Sequence, residues 1–252
     1  MTPSIRAFLL RTAFAATGLT LVVPGVALAQ GGDGFLFRPP RVTLKFETGY
    51  AFQRARSDIF DFTVDQLTIE RRDFDSPYVG GELAVWVSER LDVAINVGYQ
   101  SSSIASEFRL WVDQDELPIE QVTQLRTVPT TISAKLYLRD RGRTIGRFAW
   151  IPTGITPFVG AGIGVTWYTF QQIGDFVDFD TSEIFVDRLY SDGEAFLGQA
   201  RAGLDVSLGG HFLLTAEARY GWASGVLDGS FSGFDKMDLD GLQLVGGIAV
   251  RF

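Results

Sequence analysis

The sequence predicts an all-β protein, an eight-stranded antiparallel up-and-down transmembrane β-barrel. Two observations support this prediction. Eight segments alternate apolar and polar side chains with a period of two, and each is near the ~9–11 residues that a tilted strand needs to cross hydrocarbon. The connections between them alternate short and long, as they do when successive hairpins cross a membrane.

The first 29 residues are expected to be a cleaved export signal, which leaves 30–252 as the barrel domain. Two arginines precede an apolar stretch that Pro24 interrupts, and "ALA" at 27–29 has the small-x-small pattern of a signal-peptidase site. After this segment, no run approaches the ~18–20 apolar residues of a spanning helix. The chain has no cysteine, which excludes disulfides and thiolate chemistry.

The alternating segments each have one apolar and one polar face. In chain order they span 42–53, 78–87, 91–100, 128–138, 156–170, 196–208, 212–222 and 240–252. In the first, Leu44 and Phe46 alternate with Lys45 and Glu47. The second and third are rich in valine, which favours strands, and each carries small or polar residues between its apolar positions.

The later segments repeat the pattern with more glycine. Ala134 and Leu136 flank Lys135 in the fourth, and the fifth, "TPFVGAGIGVTWYTF", has glycine at most positions of its second face. The sixth and seventh place alanine, leucine and aromatic side chains opposite charged ones. The eighth, "DGLQLVGGIAVRF", alternates up to Phe252. A strand of this kind needs a hydrogen-bonding partner, and pairing with the first strand would supply it.

The polar faces carry charges that a barrel would enclose in its lumen. The predicted lumen network is Lys45, Glu47, Glu82, Lys135, Arg201, Asp205, Glu217, Arg219 and Arg251. A soluble sandwich would show the same alternation with these charges in water, but the alternating connections favour the barrel. Five positive and four negative side chains nearly balance, which predicts an internal ion-pair network and a filled lumen. Inward glycines, in contrast, would leave room for a narrow passage.

These features resemble the small outer-membrane β-barrel families: OmpA-like, OmpX-like, OmpW-like and opacity-type (porin-family) proteins. The export signal, "ITPFVGAGIGV" at 155–165 and the terminal "GGIAVRF" carry the resemblance. It implies a Gram-negative outer-membrane location, contact with lipid and lipopolysaccharide, and recognition of Phe252 by the barrel-assembly machinery. The OmpW-like members imply the alternative function, a narrow channel for small hydrophobic solutes. The basic link 139–154 departs from the families, because a tight turn is expected there.

The four long connections are strongly acidic. Residues 56–75, 101–124, 171–195 and 223–240 hold 22 of the 30 acidic and 6 of the 22 basic side chains, a net charge of −16. With the amino terminus on the periplasmic side, all four are extracellular. Their simplest role is solvation and repulsion of anions. A divalent cation is a second reading, with candidate ligands Asp175, Asp178, Asp180, Glu183 and Asp187.

Recognition of an extracellular protein is a third reading of these loops. Its candidate anchors are Phe60, Phe62, Trp111, Phe176, Phe179, Phe231 and Phe234. Several alternate with acids, as in "IFDFTVD" at 59–65, and we expect them rather to extend the hairpins beyond the bilayer. The loops and strands together predict a structural or surface-interaction role, as a monomer, with no nucleic acid bound.

No catalytic, cofactor-binding or metal site is predicted. The one histidine, His211, follows Gly209-Gly210 in a tight turn on the expected periplasmic side. A hydrolytic or acyl-transfer site needs a nucleophile beside its base, and no serine follows His211 two residues later. The sequence therefore predicts that the protein is not an enzyme.

Overall fold

The computed structural model describes residues 34–113, 115–179, 181 and 183–252. The predicted export signal, residues 1–29, lies outside this part of the chain. The strands are β1 (Val42–Gln53), β2 (Ser76–Ser88), β3 (Leu91–Val112), β4 (Pro118–Tyr137), β5 (Gly142–Ile145), β6 (Ala149–Pro152), β7 (Ile155–Val177), β8 (Ile184–Ser207), β9 (Phe212–Gly225), β10 (Met237–Asp238) and β11 (Gly241–Arg251). One α-helix, α1 (Asp58–Gln66), and two short 3₁₀ helices, Arg71–Phe74 and Gly229–Phe231, complete the described elements.

Eight of the described strands close into a ring, which confirms the predicted barrel. The order around it is β1-β2-β3-β4-β7-β8-β9-β11, and every neighbouring pair is antiparallel. β11 pairs with β1 from Thr43↔Arg251 to Gln53↔Gly241. Because the last strand pairs with the first, the ring has no free edge, and its backbone donors and acceptors are satisfied within it.

The apolar side chains of the barrel point outward and the charged ones inward. Phe46 is 63% exposed, whereas its neighbours Lys45 and Glu47 are 3% and 1% exposed. Exposed apolar residues on the other barrel strands include Leu83, Val93, Ile95, Ile132, Val159, Ile163, Leu204, Leu214 and Ile248. This arrangement inverts that of a soluble protein and suits a surface surrounded by acyl chains. Among the described residues no helix has the length and apolarity to span a bilayer.

The two ends of the barrel differ. At one end, here the turn end, lie residue 252 and short connections such as 89–90 and 208–211. At the other, here the loop end, β3, β4, β7 and β8 continue well past the neighbouring strands, because they have 20–24 residues against 11–14 in β1, β2, β9 and β11. The expected loops 101–124 and 171–195 are therefore mostly strand.

These extensions form a curved wall, which we define as residues 101–112, 118–127, 168–177 and 184–196. The connection between β1 and β2, which contains α1, and the connection 226–240 pack against the inner face of the wall. Together they make a head with its own apolar core. Its buried members include Ile59, Phe60, Leu67, Ile69, Phe74, Phe108, Ile119, Leu125, Phe170, Leu227, Phe231 and Met237.

One sequence prediction about the connections is wrong, and a second connection has regular structure. Residues 59–65 do not extend a hairpin but lie in α1, where Ile59, Phe60 and Thr63 share the buried side. In the basic link 139–154, which is longer than the expected tight turn, β5 and β6 form a small hairpin across the turn end. Trp150 of this hairpin is buried and forms an isolated antiparallel bridge with Leu36.

Candidate functional site: the charged barrel lumen

The centre of the lumen holds three cations and three carboxylates from four strands. Strand alternation directs Lys45 and Glu47 of β1, Glu82 of β2, Arg201 of β8, and Glu217 and Arg219 of β9 inward. The Lys45 Nζ lies 2.9 Å from Glu47, 3.1 Å from Glu82 and 3.2 Å from Glu217. These six side chains, here the central cluster, have balanced formal charge.

Each of the two arginines forms hydrogen bonds to two carboxylates of the central cluster. Arg219 donates to both carboxylate oxygens of Glu47, at 2.5 and 2.6 Å, and through Nε to Glu217 at 2.8 Å. Arg201 donates to Glu82 at 2.5 Å and to Glu217 at 2.8 Å. Bidentate geometry of this kind is what compensates charges removed from water, whereas loss of one partner leaves a buried charge unpaired.

Neutral groups complete the hydrogen bonding around Glu47. The Tyr78 hydroxyl donates to Glu47 at 3.0 Å, and the Asn96 amide nitrogen donates to the same carboxylate at 2.8 Å. Both side chains are buried and come from β2 and β3. The central cluster is thereby connected to strands that contribute few charges of their own.

A second group of charges, the lower cluster, lies toward the turn end. Lys135 Nζ is 2.9 Å from Asp205 and 3.8 Å from the ring centroid of Phe158. Arg141 donates to both carboxylate oxygens of Asp92 at 2.7 Å. The Tyr137 hydroxyl, 3.2 Å from Asp92 and from Asp205, links the two pairs.

Two members of the lower cluster are absent from the predicted lumen network. Asp92 lies on the inward face of the third segment, so its alternation was a sufficient signal. Arg141 precedes β5 and reaches back into the barrel mouth, where its guanidinium carbon lies 3.8 Å from the ring centroid of Trp86. No periodicity predicts a side chain that enters the lumen from a connection.

The structure brings eight of the nine predicted lumen residues into these two clusters. Arg251 is the exception, because it donates to the carbonyls of Gly210 and Gly209 at 2.6 and 2.7 Å and lies 5.0 Å from the Trp150 ring centroid. It therefore fixes the turn between β8 and β9. Phe252, in contrast, is exposed on the outer surface.

Two of the inward glycines lie under large aromatic side chains. A Cβ on Gly98 would lie 2.4 Å from the Tyr78 ring, and one on Gly203 would lie 2.7 Å from the Phe158 ring. At these two glycines a large neighbouring side chain occupies the space that the missing Cβ would leave. Two cavities along the described lumen have volumes of about 30 Å³ each, enough for one or two water molecules.

The carboxylates of Glu47, Glu82 and Glu217 have oxygens within 4.8 Å of one another, a spacing that hard cations accept. The Lys45 ammonium lies between them and supplies the positive charge there. Among the described residues this is the one carboxylate group of that kind. The predicted loop ligands do not form another, and Asp180 lies outside the described residues.

The loop aromatics divide between the core and the surface of the head. Of the candidate anchors, Phe60, Phe176 and Phe231 are buried and cannot contact a partner. Phe62 and Phe179 are exposed. At the base of the head, Arg54 donates to Asp240 at 3.0 Å, and this hydrogen bond raises the pKa of the guanidinium above its ordinary value. At the turn end, His211 is exposed and its Nδ1 lies 3.0 Å from the Arg251 carbonyl oxygen.

No protein-family model matches the chain, and neither does any curated protein. Several solved structures are similar to it in fold. Neisserial surface protein A is 9% identical with a TM-score of 0.48, over 84% of this chain and 97% of that one. OprG from Pseudomonas aeruginosa is 13% identical with a TM-score of 0.47, over 86% and 99%. Ail from Yersinia pestis is 11% identical with a TM-score of 0.43, over 84% and 99%.

The geometry of the chain itself determines the class of protein. The ring is closed, has an even number of antiparallel strands, and has an apolar outer belt around a charged interior. Its connections are short at one end and long at the other. Only a lipid bilayer suits this combination of features. In bacterial barrels of this kind the short turns face the periplasm and the long excursions face the outside. The chain is an eight-stranded transmembrane β-barrel of the bacterial outer membrane.

Proposed function

We propose that this barrel is a non-conducting outer-membrane protein whose filled lumen supports an acidic extracellular head for surface interactions. The observation that carries the proposal is the central cluster, in which six charged side chains cross the lumen with contacts of 2.5–3.2 Å. Eight strands enclose a space that side chains can fill. The small cavities above and below the cluster support the same reading.

The proposal predicts that refolded residues 30–252 give no stable single-channel steps in a planar bilayer. A variant with 57–74 replaced by a short glycine-serine linker should stay silent too, because the block lies within the barrel. Incorporation is checked by the shifted gel mobility of the unheated, folded protein. Stable steps from the parent chain would favour the narrow-channel alternative, and steps from the linker variant alone would make the head a gate.

The top of the wall supports the surface-interaction part of the proposal. Leu110 is 88% exposed and Val186 is 80% exposed, and they lie near the acids Asp113, Glu183 and Asp187 in sequence. Isolated exposed apolar side chains are ordinary, but several at the tips of two neighbouring hairpins suit a docking surface. With acids around them, a basic amphipathic protein surface is the complementary partner.

Binding of a cationic amphipathic peptide to vesicle-embedded protein tests this part. We expect Leu110→Ser combined with Val186→Ser to weaken binding several-fold, since the apolar surface is removed and the charge is unchanged. Val226→Ser is the matched control, because Val226 is exposed in the head away from the hairpin tips. Equal weakening in the control, or equal binding of an acidic peptide, would contradict the proposed surface.

A further inference from the structure

A cleft at the turn end is lined by basic side chains and by Leu138, the exposed apolar residue that directly follows β4. It lies between the β5–β6 hairpin and the ends of the barrel strands, with a volume of about 590 Å³. Its walls include Arg90, Arg139 and Arg143 together with Leu138 and Ile151. Charged and apolar surfaces therefore meet in one cleft.

Two of these three arginines have a guanidinium group that is not neutralised by a carboxylate and can bind an anionic ligand. Arg90 is neutralised by Asp140, with 2.7 Å between them. Arg139 donates to the carbonyl of Ile155 at 3.3 Å, which leaves most of its donors free. Arg143 is exposed and has no ion-pair partner among the described residues. The cleft thus offers two uncompensated guanidinium groups, the side chain best suited to bind a phosphate oxygen pair.

The whole turn end has the same sign of charge. Segments 34–41, 88–91, 138–155 and 207–211 carry seven arginines and two acidic side chains. The hairpin tip exposes Ile145 and Phe148 on either side of Arg147. Basic residues interleaved with exposed apolar ones are typical of segments that lie in the headgroup layer of a membrane.

The position of the cleft selects its ligand. Leu138 continues the outward row of Ile132 and Leu136 and is itself more than half exposed, so the cleft opens where the apolar belt ends. A soluble anion would need only the arginines, whereas a lipid would use Leu138 and Ile151 as well. We propose that the cleft binds the phosphodiester headgroup of an anionic phospholipid of the periplasmic leaflet, with Arg139 and Arg143 as its phosphate ligands.

Lipid retention by the detergent-solubilised, refolded protein tests this site. The protein is incubated with phosphatidylglycerol or phosphatidylcholine, and the bound lipid is counted by native mass spectrometry. We expect the parent chain to retain one phosphatidylglycerol in preference to phosphatidylcholine. Arg139→Gln with Arg143→Gln should weaken this binding about 10- to 30-fold, since each basic side chain near a membrane surface contributes a factor of roughly three to five.

The matched control is Arg72→Gln with Arg126→Gln, which removes the same charge from exposed positions on the loop side of the chain. It should retain phosphatidylglycerol as the parent does. Because Arg143 is exposed, the single Arg143→Gln variant provides a folded test even if the double variant refolds poorly. Equal retention in all variants, or equal retention of the two lipids, overturns the proposal. Displacement of the lipid by millimolar inorganic phosphate would instead identify a site for a soluble oxyanion, which also overturns it.

Discussion

At the scale of single residues, two glycines of the lumen each lie under a large aromatic side chain from a neighbouring strand. The Tyr78 ring lies over Gly98 of the neighbouring strand, and its hydroxyl donates to Glu47 of the central cluster. Phe158 covers Gly203 and lies against Lys135 in the same way. Each glycine therefore leaves the space that an aromatic ring occupies, and that aromatic side chain contacts a charged residue of the lumen.

Gly98→Ala should destabilise the barrel by about 1–3 kcal/mol, because the new Cβ must displace the Tyr78 ring. The measurement is the urea midpoint of unfolding in phospholipid vesicles. Gly198→Ala is the control, since its Cβ would meet Trp222 at 4.0 Å, an ordinary contact distance. If the two variants have the same midpoint, the Tyr78 ring does not pack against Gly98.

At the scale of elements, α1 shows how the head depends on the wall. Phe60 of this helix is fully buried, with its ring centroid 4.8 Å from that of Phe74 and 6.0 Å from that of Phe170 in β7. Asp58 and Asp61 lie in the first turn, where the helix dipole favours negative charge. The helix is thus held by one apolar face on a strand wall.

Phe60→Ala should loosen the head and leave the barrel intact. Removing a buried phenylalanine costs about 3–5 kcal/mol, and the side chains that surround Phe60 belong to the core of the head. Limited proteolysis should therefore cut within 54–75 much faster, while the unheated barrel keeps its shifted gel mobility. Phe62→Ala, at an exposed position of the same helix, should leave proteolysis unchanged. Equal protection of both variants would mean that the head core does not hold α1.

Alternation predicts the transmembrane parts of the strands better than it predicts the head. Leu44, Phe46 and Ile132 point outward as predicted, because the bilayer places a strong and uniform demand on that face. In 59–65, Phe60, Phe62 and Val64 have the spacing of a strand, whereas Ile59, Phe60 and Thr63 have that of a helix, and only the wall decides between them. Likewise, nothing local predicts that Arg141 enters the lumen to meet Asp92.

At the scale of the whole molecule, the outward belt of apolar side chains stabilises the protein in a lipid bilayer. Ile95 lies midway along the belt, paired with Leu83 on one side and Ile132 on the other. Acyl chains surround all three, and they give no compensation to a charge placed there. The stability of the barrel therefore depends on the depth of each outward position in the membrane.

Ile95→Arg should lower the free energy of unfolding in vesicles by about 2–4 kcal/mol, as expected for a basic side chain at the bilayer midplane. Ser103→Arg, on the outer face of the wall beyond the membrane, should change it little. Both are read from equilibrium urea unfolding. Equal destabilisation at the two positions would contradict the assigned belt.

The wall also has a consequence for the timing of events. A nine-residue helix such as α1 is marginally stable in water by itself, and its apolar side has nothing to cover it until β3, β4 and β7 stand beyond the bilayer. The head must therefore fold last, after the barrel strands have inserted into the bilayer. During that interval the newly inserted protein exposes the apolar side of α1 to the exterior, and it is then sensitive to proteases.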